Sequence, residues 1–67
     1  MIRVNGEPSA VAPGETVAGL VASLGVEPQA PGVAVAVDGE VVPRGAWEQR
    51  TVQDGAAVEV LTAMQGG

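Results

Sequence analysis

The chain has 67 residues, no cysteine and no histidine, and a formal net charge of −5 at pH 7. A domain of this length buries only about 60% of the surface of its unfolded chain, which leaves no room for a deep substrate pocket. The missing residue types exclude thiolate and imidazole metal sites and nucleophilic triads of the Ser-His or Cys-His kind. The acidic balance argues against binding to nucleic acid or to anionic membranes. Composition therefore favours a carrier, a modifier or an interaction module over an enzyme.

The N-terminal third of the chain predicts a hairpin followed by one short helix. An alternating stretch leads into Asn5-Gly6, a strong hairpin signal, and residues 7–12 return as the second strand. Thr16 is placed to cap a helix. The apolar residues after it have the i, i+3, i+4, i+7 spacing of one helix face: Val17, Leu20, Val21 and Leu24. Gly19 stands where a capping-box glutamate would help, so this helix depends on packing.

The remainder predicts three more strands. Residues 33–37 alternate valine with alanine, which puts the valines on one face, as expected for an interior strand. Asp38-Gly39 is a second hairpin turn, through which the chain returns as a short fourth strand. An irregular turn carries Trp47, and residues 57–61 form the last strand.

The element order β-β-α-β-β-β predicts an α+β domain over residues 1–61, in which one helix covers a mixed sheet. A right-handed crossover through the helix places the first and last strands parallel at the centre, which is the β-grasp (ubiquitin-like) arrangement. Residues 62–67 then form a flexible C-terminal tail. No apolar run approaches the roughly 20 residues that span a bilayer, so we expect a cytoplasmic protein without membrane contact.

The sequence ends in Gly66 and Gly67, directly after an apolar strand. Glycine has no Cβ, so such a tail can thread a channel that is closed to other residues. Its terminal carboxylate is ionised at neutral pH. The tail suits a protein whose own C-terminus is the reactive group, and an ordinary frayed terminus is the alternative.

Several stretches along the chain carry a family resemblance: residues 4–6, 14–17, 35–44, 52–55 and 58–60, and the terminal Gly66-Gly67. The most specific of them is Val42-Pro43-Arg44 with Trp47 three residues further on. Together they make the chain similar to the ubiquitin-like sulfur carriers of prokaryotes, above all to the sulfur carriers of thiamine (thiazole) biosynthesis. The small subunit of molybdopterin synthase shares the fold and the tail but usually lacks that segment.

The resemblance implies a chemistry in which the chain is a carrier and not an enzyme. An E1-like adenylyltransferase would activate the Gly67 carboxylate with ATP and magnesium, so the carrier itself binds no cofactor. A sulfur donor such as a cysteine desulfurase would supply the sulfur that displaces AMP and leaves Gly67 as a thiocarboxylate. The family delivers this sulfur to thiazole synthase. Gly66 would lie in a channel that admits no side chain.

The two terminal glycines offer no side chains, so binding energy for partners must come from the domain near the tail. The candidates are Leu61, Ala63 and Met64, with Glu59 at the rim, and Leu61 could equally close the core. The negative charge favours a partner with a basic docking surface, or merely keeps the domain soluble.

Trp47 is the only aromatic residue, and we expect it to pack in the core, because a core this small needs its largest apolar side chain. Arg44 is expected to tie down the irregular turn rather than to bind a phosphate.

Two other functions remain open. One is a sulfur carrier for another product, such as molybdopterin or cysteine, which would share the tail and the mechanism. The other is a ubiquitin-like interaction module whose Gly-Gly terminus is incidental.

Overall fold

The computed structural model describes residues 1–27 and 29–62. Its elements in chain order are β1 (Arg3–Val4), β2 (Glu7–Pro8), α1 (Val17–Ser23), β3 (Val33–Val37), β4 (Glu40–Val41), a 3₁₀ turn (Arg44–Ala46) and β5 (Ala57–Thr62). The strands form one sheet in the order β2-β1-β5-β3-β4. β1 and β5 are parallel, and every other pair is antiparallel. The predicted β-β-α-β-β-β order and mixed sheet are therefore confirmed.

Both hairpins turn as predicted. Asn5 and Gly6 have φ values of 53° and 82°, and Asp38 and Gly39 have φ values of 52° and 84°. Positive φ at both central residues is the type I′ conformation, whose twist matches that of the flanking strands. These turns fix the register of β1 against β2 and of β3 against β4.

Helix α1 begins as predicted and ends at Ser23, one residue before Leu24, the last member of the predicted apolar stripe. The Thr16 hydroxyl accepts the Gly19 N–H at 3.0 Å and so caps the first turn. Three members of the predicted apolar stripe are fully buried: Val17, Leu20 and Val21. The prediction that Leu24 continues the apolar helix face is wrong, since Leu24 follows the last helical residue and is 43% exposed. Its backbone leaves the helical conformation, which takes the side chain off the buried stripe.

The second strand is much shorter than predicted. Residues 7–12 were expected to be extended, whereas β2 covers only Glu7–Pro8. Ser9 still donates its N–H to the carbonyl of Ile2 at 2.9 Å, but its hydroxyl accepts the N–H of Val11 at 3.2 Å. This local side-chain bond competes with strand pairing and ends β2.

The core lies between α1 and one face of the sheet. Its largest fully buried side chains are Trp47, Ile2, Leu20, Val17, Val21, Val35, Val52 and Val58. Within the described residues, no buried side chain is polar or charged. No helix in this part of the chain is long and apolar enough to cross a membrane.

Candidate functional site

The end of β5 is where the predicted reactive tail begins. Four predicted site residues lie outside the described residues, so their roles stay predictions: Ala63, Met64, Gly66 and Gly67. β5 includes Thr62, which the sequence pattern places in the tail, because Thr62 pairs with Val33 of β3. Five residues remain between Thr62 and the C-terminus.

Leu61 and Glu59, two of the predicted partner-binding residues, lie on the same face of β5. They alternate with Val58 and Val60, whose side chains are buried in the core. Leu61 is 65% exposed. Leu61 therefore does not close the core, and its contact with a partner stays a prediction.

Cross-strand pairing extends this exposed face over three strands. Ala34 of β3 lies opposite Leu61, and Ala36 lies opposite both Glu59 and Val41. Directly opposed residues project from the same face of a sheet. We call Leu61, Ala34, Ala36 and Val41 the open patch.

The open patch is apolar although solvent reaches most of it. Val41 is 71% exposed, Ala34 is exposed, and Ala36 is half-buried. Small alanines between two large apolar side chains make a shallow surface onto which another protein can fit closely. Interface cores have this apolar character, and their polar groups lie at the rim. Glu59 supplies such a rim charge, and Arg3 of β1, in register with Ala57, supplies a second.

Three members of the open patch were not predicted: Ala34, Ala36 and Val41. The alternation of β3 places its alanines away from the core, which was a usable signal. Their meeting with Leu61 depends on the register between β3 and β5, which no local pattern gives.

Trp47 packs in the core and Arg44 ties down the irregular turn, as predicted. The indole is 2% exposed, and its Nε1–H donates to the carbonyl of Val42 at 2.9 Å. The Arg44 guanidinium lies 4.4 Å from the centre of the indole ring and donates to the carbonyls of Ala30 and Val33, at 2.8 and 3.3 Å. Arg44 thus ties the loop before β3 to the turn that carries Trp47.

The ionisable groups of the described residues are mostly solvated. The N-terminal ammonium donates to Asp54, and this hydrogen bond and its charge lower the pKa of Asp54. Because the fold lowers this pKa, the ion pair stabilises the fold at pH values above the ordinary pKa of the carboxyl. The stabilisation is lost as the pH falls through the lowered pKa. Both groups are exposed, so solvent screens the interaction. Within residues 1–27 and 29–62, no three acidic side chains are grouped to hold a metal ion.

Comparison with known proteins agrees with the resemblance. Residues 2–67 match the sequence model of the ThiS family. The chain is similar to the crystal structure of the thiamine biosynthesis protein (ThiS) from Geobacter metallireducens, at 46% identity and a TM-score of 0.78, covering 98% of this chain and 97% of that one. It is also similar to the NMR solution structure of a thiamine biosynthesis protein from Geobacter metallireducens, at 46% identity and a TM-score of 0.79, covering 98% of this chain and 86% of that one. No curated protein sequence gives a significant match.

Proposed function

The chain belongs to the ThiS family, and we propose that it carries sulfur for thiamine biosynthesis as a thiocarboxylate on Gly67. Family membership and 46% identity to a thiamine biosynthesis protein support a small sulfur carrier that is not itself the catalyst. The observation that carries the proposal is the open patch, because it reaches the strand that leads into Gly66-Gly67. A partner bound to this face would receive the C-terminus.

The first chemical step would be adenylation by an E1-like adenylyltransferase. A carboxylate is a poor acyl donor, because oxide would have to leave. An oxygen of the Gly67 carboxylate attacks the α-phosphorus of ATP, and pyrophosphate leaves with the electron pair of the broken P–O bond. The resulting mixed anhydride has AMP as a good leaving group, which divides one difficult step into two easier ones. The partner enzyme would hold the ATP and the magnesium that stabilise the charge.

The second step would replace AMP by sulfur. In its simplest balanced form, HS⁻ attacks the acyl carbon, a C–S bond forms and the C–O bond to AMP breaks. AMP leaves with the electron pair, the S–H proton passes to solvent, and Gly67 becomes a thiocarboxylate. A cysteine desulfurase, which carries sulfur as a persulfide, is the proposed source. A thiol reductant would attack the inner sulfur of the persulfide, form a disulfide and release HS⁻, and thiazole synthase is the proposed acceptor of the sulfur on Gly67.

Docking of both partners would rely on the open patch. Leu61 and Val41 are 65% and 71% exposed, so a partner can remove much of their apolar surface from water. Burial of such surface stabilises a complex by roughly 25 cal/mol per Å², less the cost of association. Ala63 and Met64 would extend this contact, with Glu59 at its rim. The net charge of −5 favours partners with a basic surface, chiefly through a faster encounter.

The length of the tail limits where the partner's catalytic site can lie. Residues 63–67, fully extended, span at most about 18 Å, since each residue adds roughly 3.3–3.6 Å. The reaction centre of a docked adenylyltransferase must lie within this distance of the end of β5. Removing one residue would withdraw the carboxylate from its required position.

ATP–pyrophosphate exchange with the cognate adenylyltransferase tests this proposal. The full chain should support exchange, and a chain that lacks Gly67 should not, because its terminal carboxylate falls short. A chain lengthened by one glycine is the matched control for position and should also exchange poorly. Both variants should unfold at the same temperature as the full chain. Undiminished exchange by the shortened chain would show that Gly67 is not the reacting residue.

A further inference from the structure

The two edges of β5 are held differently near the tail. On one edge, β3 pairs with β5 as far as Thr62. On the other edge, the register of β1 with β5 ends at Val4 opposite Val58. Beyond this point, no strand of the described chain continues along the second edge of β5.

The side chain of Asn5 continues the pairing where β1 stops. The backbone N–H of Asn5 donates to the carbonyl of Val58 at 2.8 Å. Its Oδ1 accepts the N–H of Val60 at 2.8 Å, and its Nδ2 donates to the carbonyl of Val60 at 3.2 Å. A carboxamide carries the same donor and acceptor as a peptide group, so Asn5 acts as one more residue of strand β1.

Asp38 shows that a type I′ turn does not by itself require this pair of side-chain hydrogen bonds. It has nearly the same φ as Asn5 and is also followed by glycine. Its N–H donates to the carbonyl of Ala57 at 2.8 Å, and its Oδ1 accepts the N–H of Ala57 at 3.0 Å. Asp38 therefore holds the first residue of β5, at the end far from the tail, through one side-chain bond.

We propose that Asn5 is a positioning residue for the C-terminal tail, an inference that rests on the proposed function. By holding both polar groups of the Val60 backbone, Asn5 fixes β5 two residues before Thr62 and so sets the direction in which the chain leaves the sheet. Because only five residues follow Thr62, the direction of β5 at Thr62 limits the region that the Gly67 carboxylate can reach. Activation requires that carboxylate at a fixed point in the partner enzyme, so loss of the bonds lowers the productive fraction of complexes.

Asn5→Gly and Asp38→Gly form a matched pair that tests this inference. Each removes the side-chain bonds to β5, and glycine accepts the positive φ at both positions. Amide hydrogen exchange should report faster exchange at Val60 in the first variant and at Ala57 in the second. Thermal unfolding checks that both variants are folded. If Asn5→Gly does not fold, Asn5→Asp, which keeps the acceptor for the Val60 N–H, takes its place.

The decisive readout is the adenylation rate at varied concentrations of the chain. For Asn5→Gly we expect kcat to fall about tenfold with KM within about twofold, because docking persists while the reacting geometry is lost. For Asp38→Gly we expect both constants to stay within about twofold of those of the unmodified chain. Equal kcat values for the two variants would overturn the inference, as would a loss confined to KM. Absence of adenylation of the unmodified chain would instead refute the proposed function, and this inference with it.

Discussion

Glu15 performs at the start of α1 the role that a capping-box glutamate at Gly19 would have. Its carboxylate accepts the backbone N–H of Thr16 at 2.8 Å. A Cβ on Gly19 would lie 2.5 Å from the Glu15 carboxylate, so the missing side chain makes room for this bond. Gly19 weakens the helix by its low helix propensity, but its lack of a side chain lets Glu15 cap the N–H of Thr16.

A double-mutant cycle can measure the energetic coupling between Glu15 and Gly19. In a Glu15→Ala background, Gly19→Ala should raise the free energy of unfolding by about 1 kcal/mol, the difference in helix propensity. In the unmodified chain the gain should be smaller or reversed, because Glu15 must move and Thr16 loses a bond of about 0.5–1.5 kcal/mol. Urea denaturation of the four chains measures this coupling. Gly45→Ala, where a Cβ meets nothing within 4 Å, is the control and should give the same change in both backgrounds. Equal gains for Gly19→Ala in the two backgrounds would refute the coupling.

Among the secondary-structure elements, the sequence correctly predicted those that depend on the local residue types. Asn5-Gly6 and Asp38-Gly39 turn as predicted because their residue types tolerate positive φ, and β3 follows from its strict alternation. The extent of β2 was wrong because a serine side chain redirects the backbone after Pro8. Of the open patch only Leu61 was predicted, because its members come from three strands and meet through tertiary register. The hydrogen bonds between the Asn5 side chain and the Val60 backbone escaped prediction for the same reason, since the two residues are 55 positions apart in the sequence.

The open patch predicts which exposed leucine matters for partner binding. Leu61→Gln should weaken binding to the adenylyltransferase about tenfold, since a change of 1.4 kcal/mol corresponds to a factor of ten and full burial of a leucine is worth more than that. Leu24→Gln, the same substitution at an exposed leucine outside the patch, is the control and should change the Kd by less than about twofold. Titration calorimetry measures both. Equal weakening by the two variants would show that the patch is not the docking surface.

In the whole molecule, the residues that stabilise the fold and the residues that we propose bind partners lie on opposite faces of the sheet. One face of the sheet carries α1 and a core that includes Trp47, while the other face carries the open patch. The central strand β5 contributes to both faces and then leads into the tail. Changes at the exposed face should therefore alter partner binding with little effect on folding, because exposed substitutions usually shift stability by less than about 0.5 kcal/mol.

The absence of cysteine makes the central claim, sulfur on Gly67, open to a direct test. No side-chain thiol of this chain can form a persulfide or a disulfide, so sulfur that the chain gains cannot reside on a cysteine. The two methionines need a control, because oxidation to the sulfoxide also adds about 16 Da. A thiocarboxylate reacts with iodoacetamide under mild conditions, whereas a sulfoxide lacks the nucleophilic sulfur for this reaction.

The most direct measurement is the intact mass of the chain after incubation with the adenylyltransferase, ATP, magnesium and sulfide. We predict an ATP-dependent gain of about 16 Da, because acyl transfer from the adenylate replaces one oxygen by sulfur. The product should then be alkylated by iodoacetamide. Fragmentation should assign the gain to Gly67, and the chain without Gly67 should show none. An adenylate that accumulates and hydrolyses without any ATP-dependent gain at Gly67 would contradict the account.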